Sequence, residues 1–350
     1  MDNRIEYIDF LRGLAIIFVV MGHIFQYNFY GDTATGCFNF IYSFHMGFFF
    51  FISGCTASLS SAKNTWTNLP SFLCKKGCQL LIPFLLGGGV GLPFLLNNIQ
   101  VSDIPSQLLL IVQYPDKSFW FLIFLFFIHV VYYICCAITA RKKNKLIRSF
   151  ILLFSLPVVI MLLLFKSRLL GIGDYTYISP DYLLLFIFGH FVQTYNIKEK
   201  YSLPLITLSF LLFVILVPYF NFWQSDTTNI RTVKILTSTL FSFAVYYMIK
   251  LQYSNFSYKV TRNVCYFGSH TLEIYVTHYC LIQICSSPWI NTEAINPIPL
   301  FVIIFIMALP ICLIVVFISE ALKMVPGLSL ILYGQIKKRY SKNLNKNQNG

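Results

Sequence analysis

The stretch IDFLRGLAIIFVVMGHIF, residues 8–25, holds an arginine and a histidine inside an otherwise apolar run. Arg12 and His23 are eleven residues apart. In an α-helix this spacing puts both side chains on nearly the same face, roughly 16 Å apart along the axis. Such groups are costly inside a membrane and usually serve function. The stretch therefore predicts a first transmembrane helix that carries a reaction arranged along the membrane normal.

Composition predicts an integral membrane protein. The chain is 57% hydrophobic, 18% aromatic and 11% charged, whereas soluble domains contain about 25% charged residues. About ten apolar runs are long enough to cross a hydrocarbon core of about 30 Å. The predicted fold is an all-α membrane protein of about ten transmembrane helices, at 10–30, 38–58, 78–97, 118–139, 149–165, 180–196, 203–223, 232–250, 268–288 and 299–322.

The distribution of basic residues predicts the orientation. With the N-terminus inside, 20 of the 26 lysines and arginines fall in inner segments and five in outer segments. The remaining one, Arg12, lies within the first predicted span. This asymmetry follows the positive-inside rule and predicts that both termini are cytoplasmic. The net charge of +13 is then explained by topology and lipid headgroup contact rather than by nucleic acid.

The rest of the composition indicates one membrane domain without a resident cofactor. The ten cysteines show no metal-ligand spacing and no disulfide framework. No P-loop, dinucleotide fingerprint or aspartate-rich metal site is present. We expect residues 1–330 to form the membrane domain and residues 331–350 to be a polar, disordered cytoplasmic tail, since the tail lacks apolar periodicity.

Small residues mark two places in the early spans. The run LLIPFLLGGGVGLPFLL at 80–96 combines two prolines with four glycines, so the third span should kink or break. Its glycines serve either close helix packing or a break that lines a cavity. Ser53, followed by Gly54, is likewise either a packing step or a hydroxyl that lines a cavity.

Two more histidines lie within predicted spans. His45 is about as far below the outer surface as His23, on the next, antiparallel span, so packing would bring the two imidazoles close. His278 falls nearer mid-depth in the ninth span. A lone membrane histidine often serves only as an interhelical hydrogen-bonding group, and that alternative stays open for each of them.

Acidic residues near the inner surface also have two interpretations. Asp9 is three residues from Arg12, so the two form either a simple anchoring pair or part of a site. Glu273 and Glu320 lie at inner depth. They are candidate counter-charges for Arg12 or Arg262, or partners that hold the tautomer of a histidine.

These residue types together favour acyl transfer. A neutral imidazole at His23 can take a proton from a hydroxyl as that hydroxyl attacks an activated carbonyl. Inner cations at Arg12, Lys75, Lys76 and Arg262 suit a cytoplasmic ligand that bears phosphate, such as the acyl carrier coenzyme A.

The chain resembles the membrane acyltransferase 3 family of bacterial sugar O-acyltransferases, and within it the fucose 4-O-acetylase-like members. The resemblance runs along most of the chain, with the motifs in the family's order. Gly47 stands where the family commonly has proline, and Gln79 where it often has a basic residue. The matching stretches are IDFLRGLAIIFVVMGH at 8–23, FHMGFFFFISGC at 44–55, KKGCQLLIPFLL at 75–86, SFWFLIFLF at 118–126, DYLLLFIFGH at 181–190 and FGSHTLEIYVTHYCLI at 267–282.

The resemblance implies a multi-pass enzyme of the bacterial cytoplasmic membrane. It would use acetyl-CoA, or another acyl-CoA, as cytoplasmic co-substrate and would acylate a hydroxyl of a surface or lipid-linked glycan on the outer side. His23 would be the catalytic histidine, and Arg12 would contact the donor or stabilise its charge. Because Gln79 departs from the family pattern, Lys75 and Lys76 are the remaining phosphate candidates in that segment.

Two other functions fit the same sequence class. A transporter or flippase for a glycan or small anion would also have ten spans and a polar interior path, although no matching pair of broken helices appears in two halves. A membrane scaffold or sensor would use Arg12 and His23 only as structural polar contacts. For the enzyme, direct transfer and an acyl-histidine intermediate both stay open.

Overall fold

Helices dominate the computed structural model of the chain, as expected where backbone groups in lipid must bond within their own segment. The structure describes residues 6–91, 93, 100–115, 118–140, 149–154, 161, 180–195, 199–222, 228–284, 290–293 and 295–335. The main helices are α1 (Glu6–Asn28), α2 (Asp32–Tyr42), α3 (His45–Ser60), α4 (Leu69–Lys76), α5 (Ile104–Gln113), α6 (Trp120–Thr139), α7 (Pro180–Thr194), α8 (Glu199–Leu216), α9 (Thr228–Gln252), α10 (Tyr258–Ser269), α11 (Thr271–Ile284), α12 (Pro297–Leu322) and α13 (Pro326–Tyr333). Two short strands, β1 (Phe29–Tyr30) and β2 (Ile290–Asn291), pair in parallel, with Phe29 opposite Ile290.

The fold is that of an all-α membrane protein. Seven helical stretches among the described residues are long and apolar enough to cross a membrane: Glu6–Asn28, Ala34–Ser60, Trp66–Gly91, Trp120–Thr139, Tyr201–Tyr219, Asn229–Asn255 and Pro297–Leu322. Two more predicted spans correspond to shorter helices, α7 with 15 residues and α11 with 14 described ones. The span predicted at 149–165 lies largely outside the described residues, so the total of ten stays a prediction.

Helix α1 is the centre of the bundle. It packs against α2, α3, α10, α11 and α12. Within the protein, 78% of its apolar window is buried, against 17% for Tyr201–Tyr219. The polar residues of α1 are therefore surrounded by protein, whereas the apolar side chains of α8 are left to face lipid.

Two glycines allow helices α3 and α7 to approach closely. A Cβ atom at Gly54 of α3 would overlap the carbonyl oxygen of Phe186, and one at Gly189 of α7 would overlap that of Phe51. The α3–α7 contact thus depends on both glycines. Small residues let helix backbones meet in this way in membranes, so Gly54 in the Ser53–Gly54 pair is a packing residue.

The third span is irregular, as its prolines and glycines predict. Helix α4 continues into π-helical segments at Gly77–Leu81 and Pro83–Gly91. The wider π turn keeps the backbone hydrogen-bonded, so the segment distorts without ending. A Cβ atom at Gly88 would overlap Ser118, just before α6, and one at Gly89 would overlap Ile111 of α5.

The last described helix, α13, reaches three residues into the predicted tail, which begins at residue 331. Helix α13 ends at Gly334, which adopts the left-handed conformation with φ of 61°. Gly334 packs against the carbonyl oxygen of Cys78 in the Gly77–Leu81 segment, where a Cβ atom would not fit. The rest of the predicted tail, from residue 336 onward, lies outside the described residues.

Candidate active site

The imidazole of His23 lies in an aromatic cluster between α1 and α11. Its ring is parallel to that of Tyr27, one turn further along α1, with centroids 6.0 Å apart. The edge of Tyr279 meets it at 5.5 Å, and the His278 ring lies 5.2 Å away. The hydroxyls of Tyr27 and Tyr279 bond each other at 3.1 Å and join the two helices. The cluster therefore places the His23 ring between α1 and α11.

Local sequence explains how this cluster forms. His23 and Tyr27 are four residues apart, so they share a face of α1. His278 and Tyr279 are neighbours on α11, which packs along that face. The side chain of Gln26 also lies beside the His23 ring.

Two ring nitrogens of the cluster lack hydrogen bonds. His23 Nδ1 and His278 Nε2 are buried and have no partner among the described residues. His278 is 1% exposed, and its Nδ1 bonds the carbonyl oxygen of Ile274 at 2.6 Å. A buried polar atom left unpaired costs about 1–3 kcal/mol. His23 as a whole is only partly buried, so the exposure that it keeps lies elsewhere than Nδ1.

His45 is near this cluster, as the matched depths of the two histidines predict. It lies within electrostatic range of His23, and its Nδ1 bonds the carbonyl of Ile41 at 3.1 Å. Its ring packs against Tyr42 at 5.1 Å, and the amine of Lys234 lies 4.0 Å above the Tyr42 ring. The His23 end of α1 thus combines imidazoles, phenols and one cation.

A second polar centre surrounds Arg12, about three turns away along α1. The guanidinium contacts Asp9 Oδ1 at 3.4 Å and donates to Thr56 Oγ1 of α3 at 3.2 Å. Its side chain keeps 35% exposure, so it remains open to a ligand. The predicted Asp9–Arg12 pair is therefore present, with Thr56 as an additional partner.

Lys76 and His129 complete this second centre. Both lie within electrostatic range of Arg12. His129, on α6, is buried, and its Nδ1 bonds the carbonyl of Leu125 at 2.8 Å. No carboxylate among the described residues is paired with Lys76. The centre therefore gathers two cations and an imidazole around one carboxylate, which is an arrangement suited to an anion.

The other predicted donor residues are not in this centre. Lys75 is exposed at the end of α4, next to Lys76. Arg262 is exposed on α10. Ser53 is partly exposed on α3 and forms no hydrogen bond with another described residue.

Glu273 belongs to a separate ionic cluster. It accepts hydrogen bonds from Lys323 at 2.6 Å and from Gln335 at 2.8 Å. Lys323 also pairs with Glu320 at 2.8 Å, and Glu320 with His270 at 3.5 Å. Burial alone would lower the pKa of Lys323, but its hydrogen bonds to the two carboxylates outweigh burial and raise that pKa. The structure thus pairs Glu273 and Glu320 with Lys323, and Glu273 ties α11 to α12 and the end of α13.

Sequence reasoning missed several residues of the two centres. Tyr27 carries a readable signal, since it is one helical turn from His23 on the same helix. Tyr279 follows the singled-out His278. His129 and Thr56 are identified only by helix packing, which the sequence alone does not specify.

Comparison with known proteins agrees with this architecture. Residues 5–317 match the family described as "Acyltransferase domain". The nodulation protein NolL of Sinorhizobium fredii (strain NBRC 101917 / NGR234) is 38% identical over 92 residues, which cover 24% of this chain and 23% of that protein. NolL of Mesorhizobium japonicum (strain LMG 29417 / CECT 9101 / MAFF 303099) is 34% identical over 88 residues, with the same shares.

The aligned part is therefore about a quarter of each curated relative. No solved structure matches the chain. The family match, in contrast, extends over nearly the whole membrane domain, from the first residues of α1 into α12. The chain therefore belongs to the membrane acyltransferase 3 family.

Proposed function

We propose that the protein moves an acyl group from cytoplasmic acyl-CoA to a glycan hydroxyl on the outer side of a bacterial cytoplasmic membrane. The acyl group is acetyl, or a larger one such as succinyl, and the acceptor is a surface or lipid-linked glycan. The observation that carries the proposal is the pair of polar centres on one face of α1. The Arg12 centre is suited to anions, and the His23 centre contains an imidazole with a free nitrogen.

The Arg12 centre supports donor binding. Arg12 and Lys76 provide two cations on different helices, and Arg12 keeps part of its surface open. Guanidinium and ammonium groups form strong, charge-assisted hydrogen bonds with phosphate. With the CoA phosphates held there, an extended pantetheine arm would carry the thioester along α1 toward His23.

The His23 centre supports proton transfer. His23 takes the proton of the acceptor hydroxyl, and the oxygen attacks the thioester carbonyl carbon. A carbon–oxygen bond forms, the carbon–sulfur bond breaks, and the proton ends on the departing CoA thiol. General-base catalysis of this kind contributes about 10²–10⁴-fold in rate.

Replacement of His23 tests this role. We expect H23Q to reduce transfer from radiolabelled acetyl-CoA to glycan by about 10²–10⁴-fold in membrane vesicles. The matched control is H270Q, because His270 lies in the ionic cluster near Glu320 and away from His23. Transfer at the normal rate by inserted, stable H23Q would exclude His23 as the base.

The same assay addresses the route of the acyl group. We propose direct transfer, so no label should remain on the protein when acceptor is absent. Label on wild-type protein that H23Q lacks would instead indicate an acyl-histidine intermediate. If wild-type membranes label no glycan at all, the protein is not an acyltransferase toward these acceptors, and a transporter becomes the better explanation.

A further inference from the structure

Two buried ring nitrogens of the His23 cluster have no hydrogen-bond partner among the described residues. Of the four buried side-chain nitrogen and oxygen atoms without a partner among the described residues, one is His23 Nδ1 and another is His278 Nε2. Their rings are neighbours, with centroids 5.2 Å apart and planes tilted by 51°. Two unsatisfied atoms on adjacent rings point to a bond between them.

The backbone of α11 determines which hydrogen His278 carries. Its Nδ1 lies 2.6 Å from the carbonyl oxygen of Ile274. A carbonyl oxygen only accepts, so the hydrogen is on Nδ1. In the neutral ring Nε2 is then a bare lone pair, which can accept a hydrogen bond and cannot donate one. His278 therefore presents an acceptor to its surroundings.

The ring separation suits a direct bond. A nitrogen–nitrogen hydrogen bond of about 3 Å, with two ring radii of about 1.2 Å each, corresponds to a centroid separation of about 5.4 Å. The observed 5.2 Å thus needs only a rotation of the His23 ring, with no shift of either helix. The His278 ring is already anchored at Ile274, so His23 is the ring that turns.

We propose that His278 is a positioning residue that accepts a hydrogen bond from His23 Nδ1 and thereby sets the tautomer of His23. The hydrogen on Nδ1 leaves His23 Nε2 as the bare base. Because Nδ1 is then occupied by its bond to His278, Nε2 is the nitrogen left for an acceptor hydroxyl. The role in catalysis rests on the proposed acyl transfer. The tautomer itself does not.

The kinetic test uses two replacements of His278. H278L removes the His278 acceptor and leaves only Gln26 beside the His23 ring. We expect kcat to fall about 10²-fold while KM for acetyl-CoA stays constant, because the Arg12 centre is unchanged. In H278Q the amide oxygen can accept from His23 Nδ1, so we expect at least a tenth of the wild-type kcat. Equal loss of kcat in both folded variants, or no loss in H278L, would overturn the proposal.

A spectroscopic test separates this inference from the activity. Nitrogen-15 NMR of histidine-labelled protein in bilayers, with the His23 signals assigned by their loss in H23Q, reports which ring nitrogen carries hydrogen. We expect hydrogen on His23 Nδ1 in the wild type and in H278Q, and a mixed population in H278L. Hydrogen on Nε2 of wild-type His23 would refute the positioning role even if acyl transfer is observed. The expected tautomer in a protein that transfers no acyl group would leave the positioning intact and reject only the proposed function.

Discussion

Lys76 is the residue of the Arg12 centre whose charge has the least compensation. It lies near Arg12 and Lys75, while Asp9 already contacts Arg12. Arg12 and Lys76 repel each other, and only Arg12 has a carboxylate partner among the described residues. An arriving diphosphate would relieve that repulsion. The proposed donor site therefore depends on charge that the folded protein leaves partly unbalanced.

Removal of this charge should weaken donor binding without affecting proton transfer. We expect K76M to raise KM for acetyl-CoA about 10–100-fold, since hydrogen bonds to charged groups contribute about 1.5–3 kcal/mol. Its kcat should stay within a few-fold of wild type. The control K63M removes an exposed charge outside the centre. A fall in kcat with an unchanged KM would place Lys76 outside the donor site.

The sequence could identify Arg12 and His23 because helical geometry alone relates them. Both lie on one helix, and eleven residues bring them to one face. The partnership of His23 with His278 joins helices that are more than 250 residues apart in the chain. It depends on which helix faces pack together, and apolar composition does not encode that choice.

At the element scale, the α3–α7 contact depends on two glycines, Gly54 and Gly189, which have no side chain at the point of closest approach. Each glycine of the pair faces backbone of the opposite helix, so the overlap cannot be relieved by turning a flexible side chain. This contact also positions Thr56, the α3 partner of Arg12, two residues from Gly54. Close packing and the donor centre are thus linked through one helix.

Alanine at Gly54 should therefore destabilise the protein. We expect G54A to lose about 1–3 kcal/mol, the usual effect of overpacking, and to lower Tm in detergent. Gly36 provides the control, because a Cβ there meets nothing within 4 Å. Alanine favours a helix over glycine, so G36A should leave Tm equal or slightly higher. Equal Tm values for G54A and wild type would contradict the close contact.

The elements themselves are predictable to different degrees. Long apolar runs such as α1 and α12 are evident from length and composition. The π-helical backbone of 77–91 is not, because prolines and glycines predict only a distortion. The described parts of α7 and α11 have only 15 and 14 residues, so their predicted spans are recognised by apolar content rather than by described length.

At the scale of the whole molecule, three contacts place the ends of several helices at one face. Gly268 of α10 packs against Asp9 near the start of α1. His270 pairs with Glu320 near the end of α12, and Lys323 joins Glu273 at the start of α11. Helices α1 and α11 therefore begin at this face, and α12 ends at it. The same face carries the Arg12 centre, and the opposite face carries the His23 centre and the β1–β2 pair.

Transfer from the cytoplasm to the outer side requires that the face with the Arg12 centre lie on the cytoplasmic side of the membrane. Since 20 of the 26 basic residues fall in the segments that the sequence predicts to be inner, the positive-inside rule predicts that this face is cytoplasmic. An epitope tag inserted at Asp103, which is exposed between the third and fourth predicted spans, should bind antibody in intact spheroplasts. A tag after Gly350 should bind only once the membrane is permeabilised. The reverse result would place the cationic centre outside, where cytoplasmic acyl-CoA could not reach it, and the proposed direction of transfer would fail.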